Sequence, residues 1–513
     1  MTSSHASAPA AASAAPAALS PEQRQSVLRT LRSPRLLKVE VLGGLVVALA
    51  LIPEAIAFSV IAGVDPRVGL FASFTMAVSI AILGGRPAMI SAATGAVALV
   101  IAPLMASHGL DYLIAAVLLA GVLQVLLAVL GVAKLMRYIP RQVMVGFVNA
   151  LAILVFLAQV PELLGVPWLV YPLTALALVI VFGLPRLTTA VPAPLVAIVV
   201  LTLITVLASV TVPTVGDKGE LPSTLPGFFI PDVPLTFETL QLLFPFALAM
   251  AFVGLLESLM TAKLVDDITD TRSSKTREAW GQGAANIITA FFGGMGGCAM
   301  IGQTMINVKA SGARTRISTF LAGVFLLLLV VLLGDLVALI PMAALVAVMI
   351  FVCWATFDWH SIRPSTLRGM PLSETAVMLV TVVATVTTHN LAIGVGAGVL
   401  CAVLLFARRV AHVVQVRRTL SEDGAVASYA VTGQLFFASS NDLYAQFDYA
   451  ADPARVVIDL SAAHVWDAST VAALDAVIEK YEKHGASVEV VGLNDESETR
   501  LQRMRDVLPG GGH

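Results

Sequence analysis

The sequence predicts a polytopic α-helical membrane protein with fourteen transmembrane segments and a small C-terminal α/β domain. Three observations lead to this fold class. Hydrophobic residues make up 58% of the 513 residues and charged residues only 12%, whereas soluble domains contain about 45–50% apolar and about 25% charged residues. Long uninterrupted apolar runs such as 320–333 recur along the chain. Near residue 420 the composition changes and shorter, alternating segments begin.

The same composition excludes several classes of protein. Only helices and closed barrels satisfy every backbone polar group in lipid, and barrel strands would show short alternating segments rather than long apolar runs. The 31 Lys and Arg residues against 33 Asp and Glu residues leave a net charge of −2 and no basic excess for nucleic acid. The three cysteines are far apart in apolar surroundings, which argues against disulfides and structural zinc. Walker, GxSxG and HExxH motifs are absent from the sequence, so we expect neither an enzyme nor a cofactor.

The apolar runs separate into fourteen predicted spans between clusters of charged residues. Residues 1–34 begin with an Ala-, Ser- and Pro-rich stretch and predict a disordered tail, and 35–411 predict the membrane domain. The spans are 39–62, 69–83, 88–106, 111–134, 142–159, 168–184, 192–211, 240–264, 280–294, 297–309, 316–333, 335–355, 374–389 and 391–412. Several are short for a complete crossing, which takes about 20 residues.

The positions of Lys and Arg support this count. Basic residues precede span 1 and follow each even-numbered span, whereas 159–167 has none and 212–239 has only Lys218. Because cytoplasmic loops of membrane proteins carry an excess of Lys and Arg, the alternation predicts that both termini are cytoplasmic.

The C-terminal segment predicts a small cytoplasmic α/β domain. Residues 412–425 form the expected linker, and 426–508 the domain. Strands are predicted at 426–437, 455–460 and 487–492, and helices at 470–484 and 496–507. Strands that alternate with helices at these lengths are typical of an α/β fold.

The spans divide into two predicted repeats, at about 39–211 and 240–412. Seven spans in each repeat force the second to be inverted, and inverted repeats place a site at the middle of the membrane, between interrupted helices. The third span of each repeat is interrupted, at 84–87 and at 293–297, by glycines with or without proline. We expect each span to be half extended and half helical, with the helix N-termini facing one another and attracting an anion. The alternative is that these glycines only permit close helix packing.

Two acidic residues lie in the middle of predicted spans. Glu54 follows Pro53 in span 1, and Glu257 lies in span 8 beside Ser258. Intramembrane carboxyl groups are costly and face the protein interior or a cavity, and burial favours their protonated form. Near an anion site they would link proton binding to anion binding. The alternative is that one or both are paired structural residues. Asp335 could lie at a span boundary, where a solvated carboxylate is unremarkable.

Several of these segments resemble the SulP (sulfate permease) anion transporter family. The stretch 42–58 resembles the first helix of the family and 253–263 its eighth, and 94–96 and 293–316 are also similar to it. The stretch 456–493 is similar to the STAS domain. The resemblance implies a seven-plus-seven inverted repeat, a core domain that moves against a gate domain, and a homodimer in the bacterial inner membrane.

The resemblance also implies a set of site residues. The substrate site would lie between spans 3 and 10 and be lined by spans 1 and 8. Carried over to this chain, the substrate-binding residues are Phe58, Ala93, Thr94, Gly95, Thr261, Ala299, Met300, Ile301, Gly302 and Gln303. Glu54 and Glu257 are the expected proton-coupling residues.

We therefore expect a secondary active anion transporter that works by alternating access. Its substrates would be a proton with a fumarate-like dicarboxylate or sulfate, and the absence of Lys or Arg at the start of span 10 favours the dicarboxylate slightly. Many family members have Gln at the position of Glu54, and an acid there favours proton coupling. The alternatives are an uncoupled exchanger or channel for bicarbonate or chloride, and an anion sensor that signals through the STAS-like domain. In that domain Ser469 occupies the position of a serine that related regulators phosphorylate, although it is equally a helix N-cap region residue.

Overall fold

A computed structural model describes residues 26–132, 134, 139–187, 192–411 and 414–507. The chain forms two compact units, one ending at Gly398 and the other beginning at Val399. Part of the predicted tail 1–34 is helical, because Val27–Arg32 forms helix α1, in which the Ser26 side chain accepts a hydrogen bond from the Arg29 N–H. Most of that tail, residues 1–25, lies outside the described residues.

The first unit is built from apolar helices at the predicted positions. Eight described helices are long and apolar enough to cross a membrane, and four shorter apolar helices accompany them. The helices are α2 (Pro34–Ala62), α3 (Pro66–Leu83), α4 (Gly95–His108), α5 (Leu110–Val129), α6 (Arg141–Gln159), α7 (Val170–Leu187), α8 (Ala193–Leu207), α9 (Phe237–Thr269), α10 (Lys275–Phe291), α11 (Ile301–Met305), α12 (Arg316–Ala338), α13 (Met342–Thr356), α14 (Pro364–Gly369) and α15 (Leu372–Thr388). Helix α16 (Leu391–Ala411) begins in the first unit and continues past Gly398. The polytopic helical fold is confirmed, and the number of fourteen crossings stays a prediction.

Spans 3 and 10 are half extended and half helical, as predicted. Strand β1 (Ser91–Ala92) leads into α4, and strand β2 (Cys298–Ala299) leads into α11, which continues as a π-helical turn over Ile306–Ala310. The strands pair antiparallel, with Ala92 opposite Cys298. Each of these two residues stands two positions before the N-cap of its helix, Thr94 or Met300. Equivalent positions of the two repeats therefore meet in the same strand pair.

Helices of one repeat also pack against helices of the other repeat. Helix α12 packs against α2 and α3, and α5 packs against α9 and α10, the helices at the equivalent positions of the other repeat. These helices, with α4, α11 and the two strands, form what we name the core group. Helices α6, α7, α8, α13 and α15 form the gate group, in which α6 packs against α15 and α7 against α13. In an inverted repeat, equivalent segments cross the membrane in opposite directions. If β1 and β2 run across the membrane, their antiparallel pairing agrees with this arrangement.

Glycines allow the backbones to approach closely in the core group. A Cβ added at Gly283 of α10 would lie 2.6 Å from the Gly121 carbonyl oxygen of α5. One added at Gly297 would lie 2.0 Å from the Ala92 carbonyl oxygen of the opposite strand. Close packing, the alternative interpretation of the glycine-rich stretch, is thus part of its role, and at Gly297 it serves the strand pair itself.

The second unit carries a four-stranded sheet in the order β3 (Gln415–Leu420), β4 (Val426–Leu435), β5 (Arg455–Val465) and β6 (Ser487–Val491). Strand β3 is antiparallel to β4, and the other neighbours are parallel. Helices α17 (Phe437–Leu443), α18 (Ala468–Lys483) and α19 (Asp495–Val507) complete it. The predicted linker 412–425 is wrong in part, because it contains β3. This edge strand is mostly exposed and lacks apolar alternation, so its sequence resembles a loop.

A buried carboxylate ties this second unit together. Asp452 accepts hydrogen bonds from the Tyr429 and Tyr481 hydroxyl groups, each at 2.5 Å, and pairs with Arg418 at 2.7 Å. The Asp452 side chain is only 1% exposed. Burial raises the pKa of the Asp452 carboxyl, but the hydrogen bonds from Tyr429, Tyr481 and Arg418 outweigh it and hold the pKa below its usual value. The carboxylate therefore joins β3, β4 and α18 most strongly when it is ionised.

Replacing Asp452→Ala should destabilise the second unit by about 2–4 kcal/mol, because it leaves two buried hydroxyl groups and a guanidinium without their acceptor. A carboxyl group whose pKa is lowered by folding stabilises the folded state above its unfolded pKa of about 3.9, and this stabilisation disappears as pH falls. The destabilisation caused by Asp452→Ala should therefore be complete at neutral pH and shrink below about pH 4. Amide hydrogen exchange over 414–507 in the full chain measures it. Glu489→Ala, which removes an exposed ion pair with Arg455, is the control and should cost at most about 1 kcal/mol. Equal effects of the two variants would contradict the assignment.

Replacing Gly297→Ala should lower the thermal stability of the first unit, since the added methyl group would overlap the Ala92 backbone. Overpacking of this kind costs about 1–3 kcal/mol. The unfolding midpoint of the detergent-solubilised chain is the measurement. Gly183→Ala in α7 is the control, because an added Cβ there meets no described atom within 4 Å. An unchanged midpoint for Gly297→Ala would show that the strand pair tolerates separation.

Candidate functional site

A cavity of about 90 Å³ lies between the core group and the gate group. At about 10–15 Å³ for each water molecule, it has room for a small hydrated solute. Eight of the twelve predicted site residues line it: Glu54, Phe58, Thr94, Gly95, Glu257, Met300, Ile301 and Gly302. The other four, Ala93, Thr261, Ala299 and Gln303, are buried close by in sequence but do not line it. Spans 1, 3, 8 and 10 therefore converge on one space.

The opposite wall comes from the gate group and consists mainly of apolar side chains. Helix α6 contributes 147, 148, 151, 152 and 155, and α13 contributes 352, 353 and 356. Sequence reasoning missed these residues. No local signal distinguishes them, because Phe147 and Val155, for example, stand among many other apolar residues of α6.

Glu54 lies on α2 directly after Pro53, which stands inside the helix. The side chain is 8% exposed, and the Gln303 Nε2 donates a hydrogen bond to Glu54 Oε1 at 2.8 Å. The buried Gln303 Oε1 has no hydrogen-bond partner among the described residues. Gln303 thus contacts the carboxylate from behind the cavity wall rather than from inside it.

Glu257 lies on α9 and is also 8% exposed. The Cys298 Sγ donates a hydrogen bond to Glu257 Oε2 at 2.9 Å, and the same sulfur lies 3.2 Å from the Thr94 Oγ1. The Thr261 hydroxyl donates to the Glu257 backbone carbonyl at 2.8 Å. Thr261 is thereby occupied with its own helix, whereas Cys298, which was not among the predicted site residues, connects the two that line the cavity.

The two helix starts meet at this cavity. In α4 the Thr94 hydroxyl caps the helix by accepting a hydrogen bond from the Val97 N–H at 3.4 Å. The N-cap residue of α11, Met300, provides no side-chain cap. Residues from both starts line the cavity, and its described lining contains neither Lys nor Arg. Backbone N–H groups at helix N-termini carry a partial positive charge, so they are the candidate anion-binding groups here.

Buried polar side chains hold the extended segments in place. Asn286 of α10 pairs with both the N–H and the carbonyl of Gly297, at 2.9 and 3.0 Å. The Thr304 hydroxyl accepts from the Ile90 N–H at 3.0 Å, and the Ser258 hydroxyl accepts from the Ala299 N–H at 3.1 Å. Sequence reasoning assigned no role to Asn286 or Thr304. The available signal was an uncharged polar residue in an otherwise apolar span, since such a residue needs a partner in the membrane interior.

Two other candidate residues lie away from this site. Asp335 is exposed on α12. In the second unit the N-cap of α18 is Asp467, whose carboxylate accepts from the Thr470 N–H at 3.0 Å. Ser469 is exposed in the first turn of that helix, so the capping role expected near it belongs to Asp467.

Comparisons with known proteins agree with this architecture. The sulfate permease family profile matches residues 37–171 and 167–381, and the STAS domain profile matches 418–505. The putative sulfate transporter YbaR of Bacillus subtilis (strain 168) is 54% identical over 468 residues, which cover 91% of this chain and 97% of that protein. The bicarbonate transporter BicA of Picosynechococcus sp. is 26% identical over 531 residues, 92% of this chain and 91% of that protein.

Solved structures show the same fold. The inward-facing murine Slc26a9 anion transporter covers 94% of this chain and 90% of its own, with a TM-score of 0.79 and 16% identity. The transmembrane domain of a cyanobacterial BicA covers 72% of this chain and 98% of its own, with a TM-score of 0.62 and 24% identity. The polytopic membrane fold followed by a small STAS domain is confirmed, and the chain belongs to the sulfate permease family of membrane transporters.

Proposed function

We propose that this chain is a proton-coupled secondary transporter for a small divalent anion. The observation that carries the proposal is the convergence of two carboxyl groups and two helix starts on one cavity between the core and gate groups. The sulfate permease membership and the relatives named as sulfate and bicarbonate transporters support an anionic substrate.

The cavity is suited to an anion that arrives with a proton. Helix N-termini attract negative charge, whereas ionised Glu54 and Glu257 repel it. No lysine or arginine in the described lining offsets that repulsion. Protonation of a carboxyl group removes the repulsion, so proton binding and anion binding favour each other by linkage. Sulfate and a fumarate-like dicarboxylate are the substrate candidates, and the lack of a fixed cation slightly favours the dicarboxylate.

Transport by alternating access suits the division into two groups of helices. Only the core group contributes the carboxyl groups and helix starts, and the gate group contributes the apolar wall from α6 and α13. Movement of one group against the other would open the cavity to alternate sides of the membrane. We further propose a homodimer in a bacterial inner membrane, with both termini cytoplasmic.

Uptake into proteoliposomes tests the proposal. Radiolabelled fumarate or sulfate should enter saturably, and an inward proton gradient should stimulate uptake of the transported anion. Competition between the two anions then decides which class the cavity prefers. Uptake that ignores the gradient would indicate an exchanger or channel, with bicarbonate and chloride as the next anions to test. Anion binding without uptake would indicate a sensor.

Replacing Glu257→Gln should lower the stimulation of uptake by a saturating proton gradient by about tenfold or more, because the amide cannot take up a proton. Initial uptake rates with and without the gradient measure it, and Glu54→Gln tests the second carboxyl group in the same way. Asp335→Asn is the matched control, since this exposed carboxylate lies outside the cavity, and its stimulation should equal that of the unmodified chain. Retained stimulation in both glutamate variants would assign the proton to another group.

A further inference from the structure

We propose that Cys298 is a positioning residue that transmits the protonation of Glu257 to the Thr94 hydroxyl in the anion cavity. The inference rests on the proposed function and deepens it. Its basis is a chain of three side chains from three elements: Glu257 Oε2 on α9, Cys298 Sγ on β2 at 2.9 Å, and Thr94 Oγ1 at the start of α4, 3.2 Å further. Cys298 and Thr94 are 0% and 2% exposed.

The donor inventory of these groups permits two directions along the chain. An ionised carboxylate only accepts, so the Cys298 thiol must donate its single proton to Glu257, and its sulfur then accepts the Thr94 hydroxyl proton. A protonated Glu257 can donate to the sulfur instead. The thiol proton then turns to the Thr94 oxygen, and the Thr94 hydroxyl proton is free to point into the cavity. Thr94 keeps its capping bond from the Val97 N–H in both states, because a hydroxyl oxygen accepts twice.

The change needs one proton, which enters from the aqueous side and forms a single O–H bond on Glu257. The thiol and the hydroxyl each keep their own proton and only rotate it. Hydrogen bonds to sulfur are weak, so the central link reverses its direction easily. The result is a site that removes a negative charge and presents a hydroxyl donor in one event, and both effects favour an anion.

Few other ionisable groups face Glu257. Across the cavity stand Glu54 and Cys353. Helices α4, α5 and α10, which pack against α9, carry their other titratable residues in terminal turns: His108, Asp111, Tyr112, Lys275, Arg277 and Glu278. Helix α11 carries none. Cys298 is therefore the group through which Glu257 reaches the start of α4.

Removing the relay at its centre should flatten the pH dependence of anion affinity. In Cys298→Ala the Thr94 hydroxyl has no sulfur to donate to, so it faces the anion at every pH. The KM for uptake of the transported anion, fumarate or sulfate, should therefore decrease at about pH 8 and stay nearly unchanged at about pH 5. The KM at pH 8 divided by the KM at pH 5 should fall about fivefold or more, which is the lower range of typical coupling between sites. Uptake is measured with equal pH on both sides of the membrane, so that no proton gradient drives it and a change in KM reports anion affinity.

Matched variants separate the relay from packing. Cys298→Ser keeps a group that both donates and accepts, and should retain the pH dependence. Thr94→Val removes the terminal donor and should weaken affinity mainly at low pH, opposite in sign to Cys298→Ala. Cys401→Ala, at a thiol outside the described cavity lining, should leave the ratio unchanged. Equal weakening at both pH values in Cys298→Ala, or an unchanged ratio, would overturn the relay while leaving proton coupling intact. Proton-independent affinity in the unmodified chain would overturn both.

Infrared difference spectroscopy tests the relay without any substrate. The S–H stretching band assigned to Cys298 by its loss in Cys298→Ala should shift as pH is lowered in the detergent-solubilised chain, because the thiol changes its acceptor. The shift should be absent in Glu257→Gln and present in Cys353→Ala. A Cys298 band that stays fixed while Glu257 titrates would overturn the proposal.

Discussion

The antiparallel pair formed by β1 and β2 is the constraint on which the membrane unit depends. Where spans 3 and 10 are interrupted, the backbone N–H and carbonyl groups lack helical hydrogen bonds, and lipid offers none. An unsatisfied peptide group in hydrocarbon costs several kcal/mol. The two interruptions solve this by bonding to each other, with Ser91 opposite Ala299 and Ala92 opposite Cys298. The pairing requires close approach, which Gly297 permits, and Asn286 forms hydrogen bonds with both the N–H and the carbonyl of Gly297.

The binding chemistry follows from this pairing. Once the strands lie together, the helices that follow them begin at the same cavity, and their N–H groups supply positive potential without any cationic side chain. A lysine or arginine would hold an anion permanently and slow its release. In the proposed function, protonation of the two carboxyl groups in the same cavity controls this attraction instead. The apolar wall from α6 and α13 strengthens every electrostatic effect inside by excluding water.

Large features of the fold could be predicted from the sequence because they follow from solvent and symmetry. Hydropathy located the helices, and glycine-rich interruptions at matching positions located the extended segments, although not their pairing with each other. The misses have local causes. Strand β3 has charged residues on both faces and forms only because β4 lies beside it. Cys298 looked like one more small residue in a glycine-rich stretch, since sequence cannot reveal which of two neighbouring positions turns toward Glu257. The wall residues of α6 and α13 carry no mark that separates them from lipid-facing ones.

Each repeat contributes one carboxyl group from its first span, Glu54 or Glu257, and the two groups have different hydrogen-bond partners. Glu54 accepts from Gln303, an amide that donates through one atom and cannot reverse that bond without rotating the whole group. Glu257 meets a thiol, which changes direction by moving one hydrogen. The repeat symmetry that builds the cavity is thus broken at the side chains of span 10, where the Glu54 partner is fixed and the Glu257 partner is reversible. An inverted repeat makes two similar half-sites, and the proposed coupling of a proton to an anion gives this difference a use. For the proposed proton coupling, the reversible thiol partner favours Glu257 over Glu54 as the carboxyl group whose protonation the anion senses.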